Sequence, residues 1–341
     1  MGFSFHSIHK PFIIAELSGN HHQSLQKAKE LILAASRTGV QALKLQTYTP
    51  DTITIDHTGG LFDITDKNSL WYGKNLYQLY GEAYTPWDWH EELFAYARSL
   101  NLIPFSTPFD ETAVDFLEKL DAPIYKIASF ENNHHPLLKK VAQTGKPVIM
   151  STGISTILDI QESVQVLKDN GCKELCLLKC TSTYPASPEN SNLITIPVLQ
   201  QAFPDCSIGL SDHTLGIGVS IASVALGAKV IEKHFTISRA EGGVDSAFSM
   251  EPDEMKALVD ESYKAYLSLG QVQFGIQKAE EKSIAFKRSI YAVNDIAAGD
   301  VLTRDNIRVI RPGDGAHPRH YEKLLGTYSP VSYKKGEPFK I

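Results

Sequence analysis

His213 and His234 each close a short apolar run, GLSDH and IEKHF. Imidazoles at matching run ends suit Mn²⁺, Fe²⁺, Co²⁺ or Zn²⁺, and two protein ligands leave coordination positions open for water and substrate oxygens. Lysines recur in the same way: Lys44, Lys126 and Lys179 sit near the ends of ALKLQT, IYKIAS and LCLLKCT, with hydroxyls at Ser129, Ser151 and Ser211. Converging ammonium and hydroxyl donors would hold a phosphorylated or carboxylated anion. A lysine in that setting could instead form a Schiff base, which makes an aldolase the rival chemistry. Glu16, Gln46, Ser106, Thr107, Glu131, Thr152, Thr181, Ser182, Asp212 and Glu232 also lie at or just past run ends. A run that is apolar until its last residues and then turns charged is hard to explain by packing, because unpaired buried charge is strongly disfavoured. The structural alternative is an ion-pair layer of Lys44, Lys126 and Glu16. His21 with His22, and His134 with His135, read as polar loops. Cys172, Cys176, Cys180 and Cys206 lack the paired C-x-x-C spacing of a zinc site and read as buried reduced thiols.

The elements that must position these groups are eight apolar runs, at 12–17, 42–47, 103–107, 124–129, 148–152, 175–181, 207–211 and 230–235. Helical periodicity follows most of them, including 25–37, 87–100, 112–120, 157–170 and 252–269. Alternating strand and helix units repeated eight times predict an α/β fold, a parallel (β/α)8 TIM barrel. A doubly wound open sheet is the runner-up, but the first strand-helix turn lacks G-x-G-x-x-G. In a barrel the active site gathers at the C-terminal strand ends, so the polar residues above would share one rim. The long connection 48–86 would leave that rim and could fold over a substrate. We expect a barrel domain over 1–270, a linker over 271–287, and a small β-rich domain over 288–341, where short runs alternate with Gly, Pro and Asp turns. Fifty residues is near the lower limit for a self-sufficient core.

The chain carries 33 basic and 39 acidic side chains, a formal charge of −6, with no basic block. Nucleic acid and anionic membrane surfaces are disfavoured as partners, since both require a basic stripe. No apolar stretch reaches spanning length and the first ten residues lack a signal-peptide core, so a cytoplasmic protein is expected. A composition of 43% hydrophobic and 21% charged residues excludes disorder, collagen and coiled coil.

The strings FIIAELSGNH, ALKLQTYTPD, PFSTPFD, YKIASFE, VIMSTGI, LKCTSTYP, IGLSDHTLG and IEKHFT, followed by DIAAGDVLTRDNIRVIRPGDGAHP, closely resemble the sialic acid synthase family from about residue 11 to about residue 336. These transferases condense phosphoenolpyruvate (PEP) with an acylamino sugar. The C-terminal segment resembles the antifreeze-like (SAF) domain that accompanies the barrel, and LWYGKNLYQLYGEAYTPWDWH at 70–90 is most similar to the branch that makes pseudaminic acid from a diacetamido hexose. The resemblance implies that His213 and His234 bind a divalent metal, Mn²⁺ or Mg²⁺, with Co²⁺ also compatible. It implies that Lys44, Thr107, Lys126, Ser129, Ser151, Ser182 and Ser211 surround PEP, and that Glu16, Gln46, Tyr184 and Asp245 face the sugar. Ser182 departs from the Asn of N-acetylneuraminate synthases. Glu16 and Glu131 are both candidates for proton transfer. Arg311 in RPGDG matches an arginine that reaches a partner's barrel mouth, which implies a domain-swapped homodimer. A non-catalytic sugar-binding module is the alternative from another class, and the intact Glu16, Lys44, Lys126, His213 and His234 argue against it.

Overall fold

Apolar residues occupy both faces of each short strand, as a parallel sheet covered by helices requires. In the computed structural model, which describes residues 3–341, the strands are β1 (Phe12–Glu16), β2 (Ala42–Thr47), β3 (Ile103–Pro108), β4 (Tyr125–Ile127), β5 (Val148–Ser151), β6 (Leu175–Cys180), β7 (Ser207–Ser211) and β8 (Val230–His234). They close in chain order into a single parallel barrel. One contiguous unit contains it and ends at Gly270.

Register places the polar ends at one level. Glu16 lies opposite Lys44 on β2 and His234 on β8, while Ser211 lies opposite Glu232 on β8 and Cys180 on β6. Because side chains alternate with period two, the interior below this level is filled by Phe12, Ile14, Phe105, Ile149, Leu178 and Val230 with their neighbours, and Phe5 is buried with them. Gly209 on β7 has no room for a side chain: a Cβ there would stand 2.2 Å from the Val230 carbonyl oxygen.

The helix Leu25–Ser36 shows how the outer layer forms. Ala28, Leu31, Ile32 and Ala35 make one buried stripe at helical spacing, and the Ser24 hydroxyl caps its start by accepting from the Lys27 amide. Burying each large aliphatic side chain in such a stripe contributes about 1.5–3 kcal/mol. The helix starting near residue 87 begins as a 3₁₀ turn, Trp87–Trp89, and becomes α-helical over His90–Ser99. His135 opens the helix His135–Gln143, so the pair His134–His135 is a helix start rather than a loop.

The connection 48–86 is more ordered than a loop. It holds a short helix, Pro50–Ile53, a 3₁₀ turn, Gly60–Phe62, and a helix, Leu76–Ala83, that starts with an Asn75–Gln78 capping box. Only Leu79 and Ala83 of that last helix are buried, so its apolar stripe is too thin to stand out.

The second unit, Gln271–Ile341, starts with a 3₁₀ stretch, Lys278–Phe286, and an antiparallel pair, β9 (Ser289–Ala292) with β10 (Ile307–Ile310). Its own core gathers Ile290, Ala292, Ile296, Leu302, Ile307 and Phe339. Among the described residues no helix is long and apolar enough to cross a membrane.

Candidate active site

The inward-facing ends of β1, β2, β4 and β8 deliver four charges to one point. Lys44 Nζ lies 2.9 Å from Glu16 Oε2 and 2.7 Å from Glu232 Oε2, and Lys126 Nζ lies 3.4 Å from Glu232 Oε1. All four side chains are buried. Burial opposes the charge of Lys44, but Glu16 and Glu232 hold its pKa above the ordinary lysine value. For Lys126 burial wins, aided by the like charge of Lys44, and its pKa is pushed down. Burial also opposes the charge of both glutamates; His234, Lys44 and Lys126 outweigh it at Glu16, as Lys126 and Lys44 do at Glu232, so both stay below the usual carboxylate range.

These contacts are the ion-pair layer that the sequence left as an alternative, and the surrounding hydroxyls show that the layer is not the whole arrangement. Thr107 Oγ1 and Ser151 Oγ are buried with no hydrogen-bond partner. Leaving a buried donor unpaired costs about 1–3 kcal/mol, so both hydroxyls are available to a bound anion. The chain between β5 and the next helix completes a cradle. Ser129 Oγ accepts from the Gly153 amide at 3.1 Å, and a Cβ on Gly153 would stand 2.2 Å from Ser182 Oγ and 2.7 Å from Ser129 Oγ. Glycine at this position is what lets the two hydroxyls close in. Lys126, Thr107, Ser129, Ser151 and Ser182 offer donors to an anion. Ser211 belongs to the layer beneath, donating to Glu232 Oε1 at 2.9 Å.

The two imidazoles stand with ring centroids 5.3 Å apart. His213 Nδ1 lies 3.0 Å from the Thr181 carbonyl, and His234 Nε2 lies 3.3 Å from Glu16 Oε2, while the buried His234 Nδ1 has no partner. An oxygen orients one nitrogen of each ring, the arrangement of metal-binding histidine; the other nitrogen of His234 is unpartnered, whereas His213 also meets the Cys180 thiol. Among the described residues no group of three His, Cys, Asp or Glu side chains is placed to hold a metal, so a metal here would take its remaining ligands from water and substrate. The residues fit a two-histidine site of that kind.

On the other side of the mouth, Gln46 Nε2 donates to Glu16 Oε1 at 2.9 Å and to Ser18 Oγ at 3.1 Å, and Ser18 donates to Asp245. Tyr184 packs against His213 with centroids 4.4 Å apart, and burial pushes its phenol pKa up. Trp71, from the connection 48–86, lies 6.1 Å from Tyr184 and donates from Nε1 to the Val244 carbonyl at 3.0 Å. Glu131 follows β4, has a buried unpartnered Oε2, and is pushed up to about 7 by burial despite the opposing charge of Lys126.

Four readings of the sequence are corrected. Lys179 does not join Lys44 and Lys126: Leu178 and Cys180 take the inward positions of β6, so Lys179 points outward and donates to Thr181 Oγ1 at 2.6 Å. Cys180 is more than an apolar filler, since it faces His213 and Ser129; burial raises its thiol pKa, and those partners pull it below its ordinary value to about 7. His21 is buried, with Nε2 3.2 Å from Thr85 Oγ1. Asp212, which its run end had put on the rim, lies instead behind the sheet with Lys233, a residue that no run end marked, next to His213 and His234. Lys233 Nζ donates to Asp212 Oδ2 at 2.9 Å and to the carbonyls of Thr214 and Gly216 at 2.7 and 3.1 Å, and Ser220 donates to the same carboxylate at 2.6 Å. Strand alternation, which turns 212 and 233 outward when 213 and 234 turn inward, was the signal that could have found them. Arg311 follows β10 in the second unit and is exposed.

Comparison with known proteins places this geometry in context. Residues 31–274 match the NeuB family and residues 287–340 match the SAF domain. A pseudaminic acid synthase from Campylobacter jejuni is 40% identical over 337 residues, covering 99% of this chain and 97% of the relative. One from Helicobacter pylori is 41% identical over 329 residues, covering 96% of each chain. Among solved structures, the N-acetylneuraminic acid synthetase of Leptospira borgpetersenii in complex with citrate superposes with a TM-score of 0.71 at 29% identity, covering 83% of this chain and 95% of the other.

Proposed function

The chain belongs to the NeuB family, and we propose that it condenses PEP with 2,4-diacetamido-2,4,6-trideoxy-L-altrose and water to give pseudaminic acid and inorganic phosphate. The observation that carries this reading is one barrel rim holding both a hydroxyl-lysine anion cradle and two imidazoles 5.3 Å apart, His234 with an unpartnered nitrogen. Likeness over nearly the full length to two pseudaminic acid synthases selects the sugar.

Lys126, Ser129, Ser151, Ser182 and Thr107 bind the carboxylate and phosphate of PEP, with Lys44 supporting them from the ion-paired layer. Carbon 3 of PEP bonds to the aldehyde carbon of the open-chain sugar, and the aldehyde oxygen takes up a proton to become a hydroxyl. Water adds at carbon 2, the bond from carbon 2 to the bridging oxygen breaks, and phosphate leaves with that oxygen. Glu16, Gln46, Tyr184 and Asp245 orient the sugar so that the two carbons meet. Glu131 is the better proton carrier: Glu16 is held ionised by its neighbours, whereas Glu131, pushed up to about 7, keeps a proton near neutrality. His213 and His234 would hold a divalent metal, Mn²⁺ or Mg²⁺, which when bound supplies Lewis-acid polarisation of a carbonyl oxygen.

The partner we infer is a second copy of the chain, contributing Arg311 of the partner subunit to the mouth. Exposed Phe130, Ile154, Ile194 and Leu215 on the connections after β4 to β7, with Leu158 in the first turn of the helix Ile157–Asp169, support an interface on that rim. Four free cysteines suit a reducing cytoplasm.

Phosphate release with PEP and each of three sugars tests the reading. The diacetamido altrose should turn over, with N-acetylmannosamine and the diacetamido sugar used for legionaminic acid poor or silent; preference for either of those would move the chain to a neighbouring synthase. A Schiff base at Lys126, whose pKa burial pushes down, is the rival chemistry. A stable lysine adduct after borohydride treatment with substrate present would establish that chemistry instead.

A further inference from the structure

A cavity of about 530 Å³ opens beside the mouth, with Gln23, Leu70, Trp71, Lys74, Val244 and Ala247 on its walls. Its volume falls within the ~300–1,000 Å³ of small-molecule sites, and no role described above uses it. Two chains of contacts join it to the reacting end. One is aromatic, from His213 to Tyr184 at 4.4 Å and from Tyr184 to Trp71 at 6.1 Å between centroids. The other is polar, from Glu16 through Gln46 and Ser18 to Asp245, which neighbours the cavity-lining Val244. Trp71 Nε1 ties the two together at the Val244 carbonyl. The cavity is thus the outward continuation of the sugar face.

We propose that this cavity is the subsite for the second acylamino group, the one on carbon 4, of a diacetamido acceptor sugar. The inference rests on the function proposed above and deepens it. The lining chemistry matches an uncharged amide. Lys74, the one lysine on the walls among the described residues, is paired with Glu82 rather than left for a phosphate. Gln23 donates from Nε2 to the carbonyls of Tyr84 and Glu82 at 2.6 and 3.1 Å, which leaves its Oε1 to accept an amide N–H. The Trp71 ring, Leu70 and Ala247 offer apolar contact to the acetyl methyl.

Ala247 is exposed on the cavity wall, so Ala247→Trp fills the space with little demand on the fold. Steady-state kinetics on the full-length protein would compare the diacetamido sugar with the analogue lacking the carbon 4 acylamino group. We expect KM for the diacetamido sugar to rise by about tenfold or more, the scale on which a filled pocket discriminates, with KM for PEP and for the analogue unchanged. Equal loss with both acceptors, or no loss with either, overturns the proposal. Leu70→Trp, also from an exposed position, replaces it should Ala247→Trp fail to fold. Saturation-transfer NMR on the unreactive alditol of the diacetamido sugar provides an arm independent of turnover: the carbon 4 acetyl methyl should receive saturation in the wild type and lose it in the variant. A wild type that releases no phosphate with any diacetamido sugar defeats the proposed function, and the NMR result still decides the cavity.

Discussion

Gly153→Ala is the sharpest perturbation of the anion cradle. The added Cβ would lie 2.2 Å from Ser182 Oγ and 2.7 Å from Ser129 Oγ, where ordinary contact begins near 3.4 Å. Both hydroxyls must therefore retreat by about 1 Å. The backbone at Gly153 is not in the left-handed region, so the variant perturbs space rather than chain conformation. A hydrogen bond to a charged group is worth about 1.5–3 kcal/mol. Displacing two of them should weaken anion binding by about 3 kcal/mol, or roughly a hundredfold. A continuous phosphate-release assay would show KM for PEP up by that factor, with KM for the sugar within about twofold and the melting temperature down by only a few degrees. Ser182→Gly in the same chain should recover part of the loss by vacating the closest contact. Wild-type KM for PEP in Gly153→Ala would refute the assignment of the cradle, as would equal losses for both substrates.

Four further outcomes follow from buried charge. Glu131→Gln should remove a limb near pH 7 from the kcat/KM profile: the wild type, needing the protonated acid, loses activity as pH rises through about 7. Because the folded-state pKa of Glu131 is raised from 4.5, ionising it costs stability as pH climbs from 4.5 to 7, so the same variant should be more stable at pH 8 by about 3 kcal/mol in urea titrations. Lys233→Met leaves Asp212 buried without its cation and should destabilise the fold by about 3–5 kcal/mol, with part recovered in Asp212→Asn/Lys233→Met; an unchanged denaturation midpoint would show that the pair is inert. His21 and His90, both buried and each depressed to about 4, stay neutral in the fold while the unfolded chain takes up protons below pH 6.5. Each should cost about 2 kcal/mol of stability by pH 5, so His90→Gln should flatten the pH dependence of melting by about half of that joint effect.

Much of this arrangement was legible because two simple periods governed it. Apolar runs broken by polar tips marked all eight strands, and the tips carried Glu16, Lys44, Lys126, Ser151, His213 and His234 to one level once parallel register was imposed. What escaped depended on which way a side chain faces. Lys179 and Lys44 look alike in the sequence, yet a one-residue phase difference turns one outward, and the same alternation hid the Asp212–Lys233 pair behind the sheet. Glu232 was visible as a polar tip, but its pairing with both Lys44 and Lys126 is a three-strand relation that no local window contains. Gly153 carried no sequence signal, because its role is the absence of a methyl group between two serines. The ordered connection 48–86 was obscured by thin burial, although the Asn75–Gln78 spacing was an available sign of its last helix.

The central claim is that this barrel joins PEP to a diacetamido sugar with loss of phosphate by carbon–oxygen cleavage. Mass spectrometry of the phosphate released from PEP carrying ¹⁸O in the bridging position, with 2,4-diacetamido-2,4,6-trideoxy-L-altrose as acceptor, tests it most directly. The label should appear in the phosphate, alongside a nonulosonic acid of the mass of pseudaminic acid. Unlabelled phosphate, or no phosphate release with this sugar, would contradict the account.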